Sequence, residues 1–313
     1  MWTYIARRLA ATVPVMGMVA LVVFAILHLT PGDPAAIIAG DSATVAQLDQ
    51  IRIHMGLDKP MYVQFFLWLV QLLHGDLGVS LISGVSVSGM IAGRVGPTLA
   101  LSTTIIVFSV IVAVPLGVLA AWRQGTLVDR SVTAFSVLGF SVPVFVNGYL
   151  LILLFSVVLG WLPVQGYKPL SAGFWPFLQR LILPTLALST AYIALIARIT
   201  RTSVLEVMNE DYIRTARAKG LNECSVLIHH ALRNASVPII TIIGLGIAQL
   251  ISGVVVTESV FNLPGLGRLV VEAVLARDYP VIQGLILLFS FAYILINLLV
   301  DVLYTLVDPR IRY

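Results

Sequence analysis

Thr98–Ala121 reads TLALSTTIIVFSVIVAVPLGVLAA, an unbroken run without Asp, Glu, Lys or Arg. As a helix rising about 1.5 Å per residue, such a run exceeds the length of about 20 apolar residues that crosses a bilayer core roughly 30 Å thick. Working outward, five more stretches lack all four charged residue types: 9–29, 131–160, 181–197, 234–257 and 279–300. The stretch 181–197 is short, and Ile199 completes its last turn; 131–160 is long enough to tilt or to continue along the interface. The first stretch follows Arg7 and Arg8, as a signal peptide would. Its length exceeds the usual apolar region of about 7–15 residues, and small residues are missing at a cleavage site. The sequence there is His28-Leu29-Thr30-Pro31, so 9–29 is read as a retained helix. The expected fold class is an all-α integral membrane protein with six transmembrane helices.

Composition agrees with that expectation. Of 313 residues, 59% are hydrophobic and 11% charged, with a mean hydropathy of +0.99. Soluble domains carry about 25% charged residues, so a water-soluble protein is excluded. A formal net charge of +4 and a pI near 9.3 could suggest a nucleic-acid partner. The placement of the charges assigns them instead to a basic cytoplasmic face. With the N-terminus inside, that face holds Arg7, Arg8, Arg123, Arg130, Arg198, Arg201, Arg214, Arg217, Lys219, Arg233, Arg310 and Arg312, twelve of the 19 basic residues. Six helices then leave both termini in the cytoplasm. Cys224 is the single cysteine, which rules out an internal disulfide framework or a cysteine-based zinc site.

Catalytic signatures are missing. Lys59, Lys168 and Lys219 precede Pro60, Pro169 and Gly220, so the phosphate-cradling loop ending in Gly-Lys-Ser/Thr cannot be present. The five histidines form no HExxH motif, and there is no GxSxG. Adjacent His229 and His230 would point about 100° apart on a helix, which suits a polar surface better than a shared metal.

The most charged stretch is 198–233, between the fourth and fifth apolar runs. Asn209-Glu210-Asp211 offers a cap and acids for a helix start, while Arg214, Arg217 and Lys219 sit toward its end. That order complements the helix dipole. Gly220 suits the left-handed position just past the C-terminus, and Asn222 can cap a second short helix. Tyr212 and Ile213 are expected to be exposed on a compact docking knob.

Asp211–Leu221, DYIRTARAKGL, with His230–Asn234, HALRN, resembles the coupling loop of ATP-binding-cassette importer permeases. The branch it resembles is the one for peptides, nickel and glutathione. Further blocks of that branch follow in order: HLTPGDPA at 28–35, GLDKP at 56–60, GDLGVS at 75–80, VFNLPGLGRL at 260–269, RDYPVIQG at 277–284 and LVDVLY with DPRIRY within 299–313. In the general family pattern, EAA is followed by three residues and Gly. Registered on Gly220, EAA falls on Arg214, Thr215 and Ala216, of which only Ala216 matches, although RTA is usual in this branch. The later I-x-L-P falls on His230, Ala231, Leu232 and Arg233, so Ile and Pro are replaced.

The resemblance implies a type I importer permease fold. It divides the chain into a cytoplasmic end with the first helix (1–30), a periplasmic segment (31–94), the core permease domain (95–304) with a coupling loop at about 200–233, and a cytoplasmic tail (305–313). It implies that Asp211, Tyr212, Arg214, Thr215, Ala216, Arg217, Lys219, Gly220 and Leu221 couple the chain to an ATPase. The implied partners are a homologous second permease, two ATPase subunits, a periplasmic substrate-binding protein and membrane lipid, with no nucleic acid. The chain itself would hold no metal and no cofactor, ATP and Mg belonging to the ATPase subunits. Localisation would be the bacterial inner membrane. Oligopeptides or dipeptides are the first substrate expected, glutathione the second and nickel the third; the segment 161–180 leans slightly toward the glutathione type.

Tyr62–Leu73 reads as an amphipathic helix in a segment that either caps the helix ends or meets the binding protein. Pro264-Gly265-Leu266-Gly267 marks a tight turn, as a re-entrant loop or a simple connector. Pro115, Pro143 and Pro184 can kink the spans, and Gly244, Gly246 and Gly253 permit close helix approach. Asn147 and Gln249 are polar at membrane depth and are candidates for the translocation path. An ATPase-independent transporter or channel is the competing class. Its ion-coupled form predicts ionisable residues inside the spans, and the six stretches hold no Asp, Glu, Lys or Arg.

Overall fold

The computed structural model of the chain describes residues 2–29, Ala35, 44–54 and 57–307. Most of the HLTPGDPA block, Gly56 and the tail from Asp308 therefore lie outside the described residues. In chain order the helices are α1 (Trp2–Leu29), α2 (Val45–His54), α3 (Met61–Leu73), α4 (Val87–Trp122) and α5 (Leu127–Ser141). Then come α6 (Val144–Leu151, continued by a wider π turn over Ile152–Val158), α7 (Phe174–Met208) and α8 (Asp211–Ala218). The last are α9 (Glu223–Leu232), α10 (Ser236–Val260), α11 (Leu266–Ala276) and α12 (Tyr279–Val307). Among the described residues the only β pairing is an isolated antiparallel bridge between Val79 and Ser86.

Each expected span falls on helix, but not each on one straight helix. α4, α7 and α12 are long and apolar enough to cross a membrane unbroken. α5 and α6 form one such span only as a pair bent by 104°, and α9 with the first part of α10 only as a pair bent by 61°. The apolar part of α1 runs over Ala10–Ile26. The sharper bend has a local cause: proline lacks an N–H, and its ring disfavours helical geometry in the preceding residue. Val142, just before Pro143, is extended, with φ −91° and ψ 120°. Pro115 and Pro184, in contrast, lie inside continuous helices.

The chain divides into two compact units, one made of Met1–Gly96 with Arg268–Ile294, the other of Pro97–Gly267 with Leu295–Tyr313. In the first, two sequence blocks far apart in the chain interlock. Asp278 is buried; it accepts a hydrogen bond from the Ser80 hydroxyl and another from the Leu81 N–H at 3.1 Å. Gly78 packs on Pro280, while Gly284 leaves no room for a Cβ against Val87. GDLGVS and RDYPVIQG thus make one joint. Nearby, Glu272 pairs with Arg94 and Arg268, each at 2.7 Å.

The second unit packs α4, α6, α7 and α10 around Leu101, Ile105, Leu181, Leu188, Leu250 and Val254. A Cβ at Gly253 would press on Leu188 at 2.8 Å, and one at Gly244 on Val300 at 2.6 Å. These α10 glycines do allow close helix approach. Toward the other end of α7, Val204 packs with Leu227, Ala231, Ala235 and Ile239, tying α7 to α9 and the start of α10.

Candidate functional site

The charged segment after α7 folds as a helix, a turn and a helix. Asn209 closes α7 and spends its side-chain amide on the Leu205 carbonyl, 3.1 Å away. Glu210 takes the extended cap position of α8, and no side chain caps the helix. The expected cap from Asn209-Glu210-Asp211 therefore does not form, because Asn209 still belongs to the preceding helix end. Asp211 lies in the first turn, where it complements the dipole, and pairs with Arg214 at 3.3 Å.

The far end of α8 matches expectation. Gly220 has φ +81°. Its N–H donates to the Arg217 carbonyl at 2.9 Å, and the Leu221 N–H reaches back to the Ala216 carbonyl at 3.4 Å. Those two bonds are the Schellman closure, which requires a left-handed residue at this point. The Asn222 side chain then accepts the Ser225 N–H at 2.7 Å and starts α9.

Burial divides α8 into two faces. Ile213 is 0% exposed and packs with Ala216 and Val226 against Val207 and Met208. Ile213 is therefore a plug, not the exposed contact expected of it. An eight-residue helix cannot hold itself together, so an apolar anchor is needed and the residue at the inward position supplies it. Ala216 serves the same packing. Asp211, Tyr212, Arg214, Thr215, Arg217, Lys219, Gly220 and Leu221 remain exposed. Arg217 clasps Glu223 through Nε at 2.8 Å and Nη2 at 3.3 Å, bracing α8 on α9. The Tyr212 phenol is held above its ordinary pKa by partial burial and by the charge of Glu210, against a hydrogen bond with Asn234.

The two path candidates differ. Asn147 is half-buried; its amide donates to the Ala187 carbonyl at 3.0 Å and the Thr190 hydroxyl at 3.1 Å, which fixes α6 to α7. Gln249 is exposed on α10.

Two further polar sites escaped the reading of the sequence. Asp129, buried at the start of α5, receives both the Nε and the Nη2 of Arg201 on α7, the latter at 2.8 Å. It also accepts the Gly125 N–H at 2.9 Å. Glu258 is 0% exposed; it accepts the Thr98 hydroxyl at 2.6 Å, and that hydroxyl in turn accepts the Leu266 N–H at 2.8 Å. Gly265 lies so close to the Glu258 carboxylate that a Cβ would overlap it. The Pro264–Gly267 turn is thus packed on the end of α10, and the eleven-residue helix α11 follows it. A faint signal existed: Asp129 and Glu258 sit at the margins of the charge-free stretches 131–160 and 234–257.

Comparison with known proteins gives this arrangement a family. Residues 113–313 match the family described as binding-protein-dependent transport system inner membrane component, and residues 1–102 match the N-terminal component of such proteins. The chain belongs to this family of importer permease subunits. It is 54% identical over 313 residues, covering all of both chains, to the probable peptide ABC transporter permease protein y4tP of Sinorhizobium fredii. It is 46% identical, again over the whole of both chains, to the glutathione transport system permease protein GsiC of Escherichia coli. Among solved structures, an inward-facing MetNI methionine ABC transporter matches with a TM-score of 0.59 and 18% identity, covering 71% of this chain and 97% of that one. The last likeness places the chain in the type I ABC importer permease fold.

Proposed function

We propose that this chain is a peptide-importer permease subunit driven by separate ATPase subunits through the exposed face of α8. The observation that carries the coupling role is the construction of α8. Ile213 and Ala216 fasten it to the end of α7, while its other side presents Asp211, Tyr212, Arg214, Thr215, Lys219 and Leu221. A push on that face reaches α7 and, through Leu227 and Ala231, α10. ATP and Mg are held by the partner ATPases, the chain itself making no covalent change in the substrate. A homologous permease completes the path, to which Gln249 contributes, and a binding protein delivers the cargo.

Peptide as cargo rests on the full-length similarity to y4tP, and glutathione is the second reading because GsiC is also similar over its whole length. Both termini and the 198–233 loop face the cytoplasm, and 31–94 faces the periplasm, as the basic residues argue.

The test is the assembled transporter in liposomes with its binding protein. Uptake of a dipeptide should require ATP, and a tagged chain should retain the ATPase subunits. Uptake of glutathione but not of peptides would replace the first reading with the second. Purification of a transport-active chain without any ATPase would overturn both. Single-cysteine labelling in a Cys224→Ser background, Cys224 itself being exposed, checks orientation: position 219 should label from the cytoplasm, position 59 from the other side.

A further inference from the structure

α3 runs from Met61 to Leu73 without one Asp, Glu, Lys, Arg or His. One side meets α1: Phe24, itself buried, has its ring centroid 5.3 Å from that of Phe65 and 5.8 Å from that of Trp68. The other side is apolar too. Tyr62, Phe66, Val70 and Leu73 follow at spacings of four, four and three, which places them in one stripe on a helix. Their exposures are 66%, 62%, 50% and 78%, and Met61 and Leu67 beside them are also exposed. Its polar amides, Gln64 and Gln71, lie seven residues apart on the side away from that stripe, the pattern of a helix that lies in a membrane interface with its apolar face among lipid.

α3 is too short to cross. Its 13 residues at about 1.5 Å each give roughly 20 Å, against a hydrocarbon thickness of about 30 Å. Charged residues flank both ends, Asp58 and Lys59 before Pro60 and Asp76 after His74, and all are exposed. Both ends of α3 are therefore drawn to the same aqueous side, with the stripe between them turned toward something apolar. α1 shows what that is: the helix carrying Phe24 also exposes Val13, Met18, Leu21, Val22 and Ile26, the lipid-facing surface of a span in an inner-membrane protein. α3 is held against that helix by Phe65 and Trp68, so its stripe shares the same apolar surroundings.

We infer that α3 is a lipid-embedded helix, lying along one leaflet with Tyr62, Phe66, Val70 and Leu73 among the acyl chains. It anchors the segment between α1 and α4 to the bilayer. A partner that docks from water, such as a binding protein, is the poorer occupant. It would return the stripe to water with each release, and 61–73 offers it no charge to pair. Lipid covers the stripe throughout the cycle.

The experiment uses the complete transporter in phospholipid vesicles. Nitroxide labels go on Phe66→Cys and Val70→Cys in the Cys224→Ser background, with Lys59→Cys as the aqueous control. Labels at 66 and 70 should collide several-fold more with oxygen, which concentrates in hydrocarbon, than with a water-soluble nickel chelate; the label at 59 should show the reverse. Preference for the chelate at 66 and 70 would mean a water-facing stripe and would overturn the inference. Low collision with both agents would mean a protein cover, from the second permease or a bound partner, and would overturn it equally. A phospholipid carrying a photoreactive acyl chain gives a measurement without substitution on the stripe. Cross-links to peptides within 61–73 of the otherwise native chain are expected, and their absence refutes the placement.

Discussion

Replacing Gly220 by valine isolates the backbone term at the end of α8. An ideal Cβ built on Gly220 meets no atom within 4 Å, so the branch point of the new side chain has open space around it. What changes is the left-handed geometry at φ +81°, which costs a residue with a Cβ about 1–2 kcal/mol and a β-branched residue the upper end of that range. That cost is large beside what holds the helix. Full burial of Ile213, 0% exposed, contributes about 1.5–3 kcal/mol, and each terminal hydrogen bond about 0.5–1.5 kcal/mol. One to two kcal/mol corresponds to a change of roughly 5–30-fold in local opening. Hydrogen exchange of the assembled transporter should report that factor at amides 213–221, with α12 unchanged. Substrate-stimulated ATP hydrolysis should fall while membrane abundance holds. Gly220→Asn keeps most of the protection, because asparagine tolerates the left-handed region. Native protection in the valine variant, or equal losses in the valine and asparagine variants, would refute the reasoning.

Two other outcomes follow from the buried carboxylates. Arg201→Ala leaves Asp129 buried with only the Gly125 N–H of the contacts described, a loss of about 3–5 kcal/mol; thermal unfolding in detergent should register it, and adding Asp129→Asn should recover part of the loss. Gly265→Ala drives a Cβ into the Glu258 carboxylate and should cost at least about 1–3 kcal/mol by overpacking. Gly93→Ala, where a Cβ meets nothing within 4 Å, should be neutral or stabilising by up to about 1 kcal/mol; equal melting temperatures for the two alanine variants would show that the Glu258 packing is misjudged.

Much of this architecture was legible from residue type alone. Charge-free runs located the spans because hydrocarbon rejects ionised groups whatever the tertiary fold. Gly220 and Asn222 were legible because left-handed closure and capping are settled within a few residues of chain. Bends and pairings were not. The sequence places proline at 115, 143 and 184 alike, yet only at Pro143, where the preceding Val142 is extended, does the helix turn through 104°; Val114 and Leu183 stay helical. Ile213 looked exposed because its neighbours are polar, and only the position of α7 decides that it points inward. Asp129 with Arg201, and Ser80 with Asp278, are separated by 72 and 198 residues, a range over which no periodicity carries information.

The joint between Ser80 and Asp278 also sets an order of events during synthesis. Its two halves are 198 residues apart, and at about 5–20 residues per second the ribosome needs roughly 10–40 s to supply the second after the first. For that interval the turn at 75–86 exists without the carboxylate that fixes it, even though α4 through α11 precede Asp278 in the chain. Any chain that stops before Asp278 leaves this turn without its clasp.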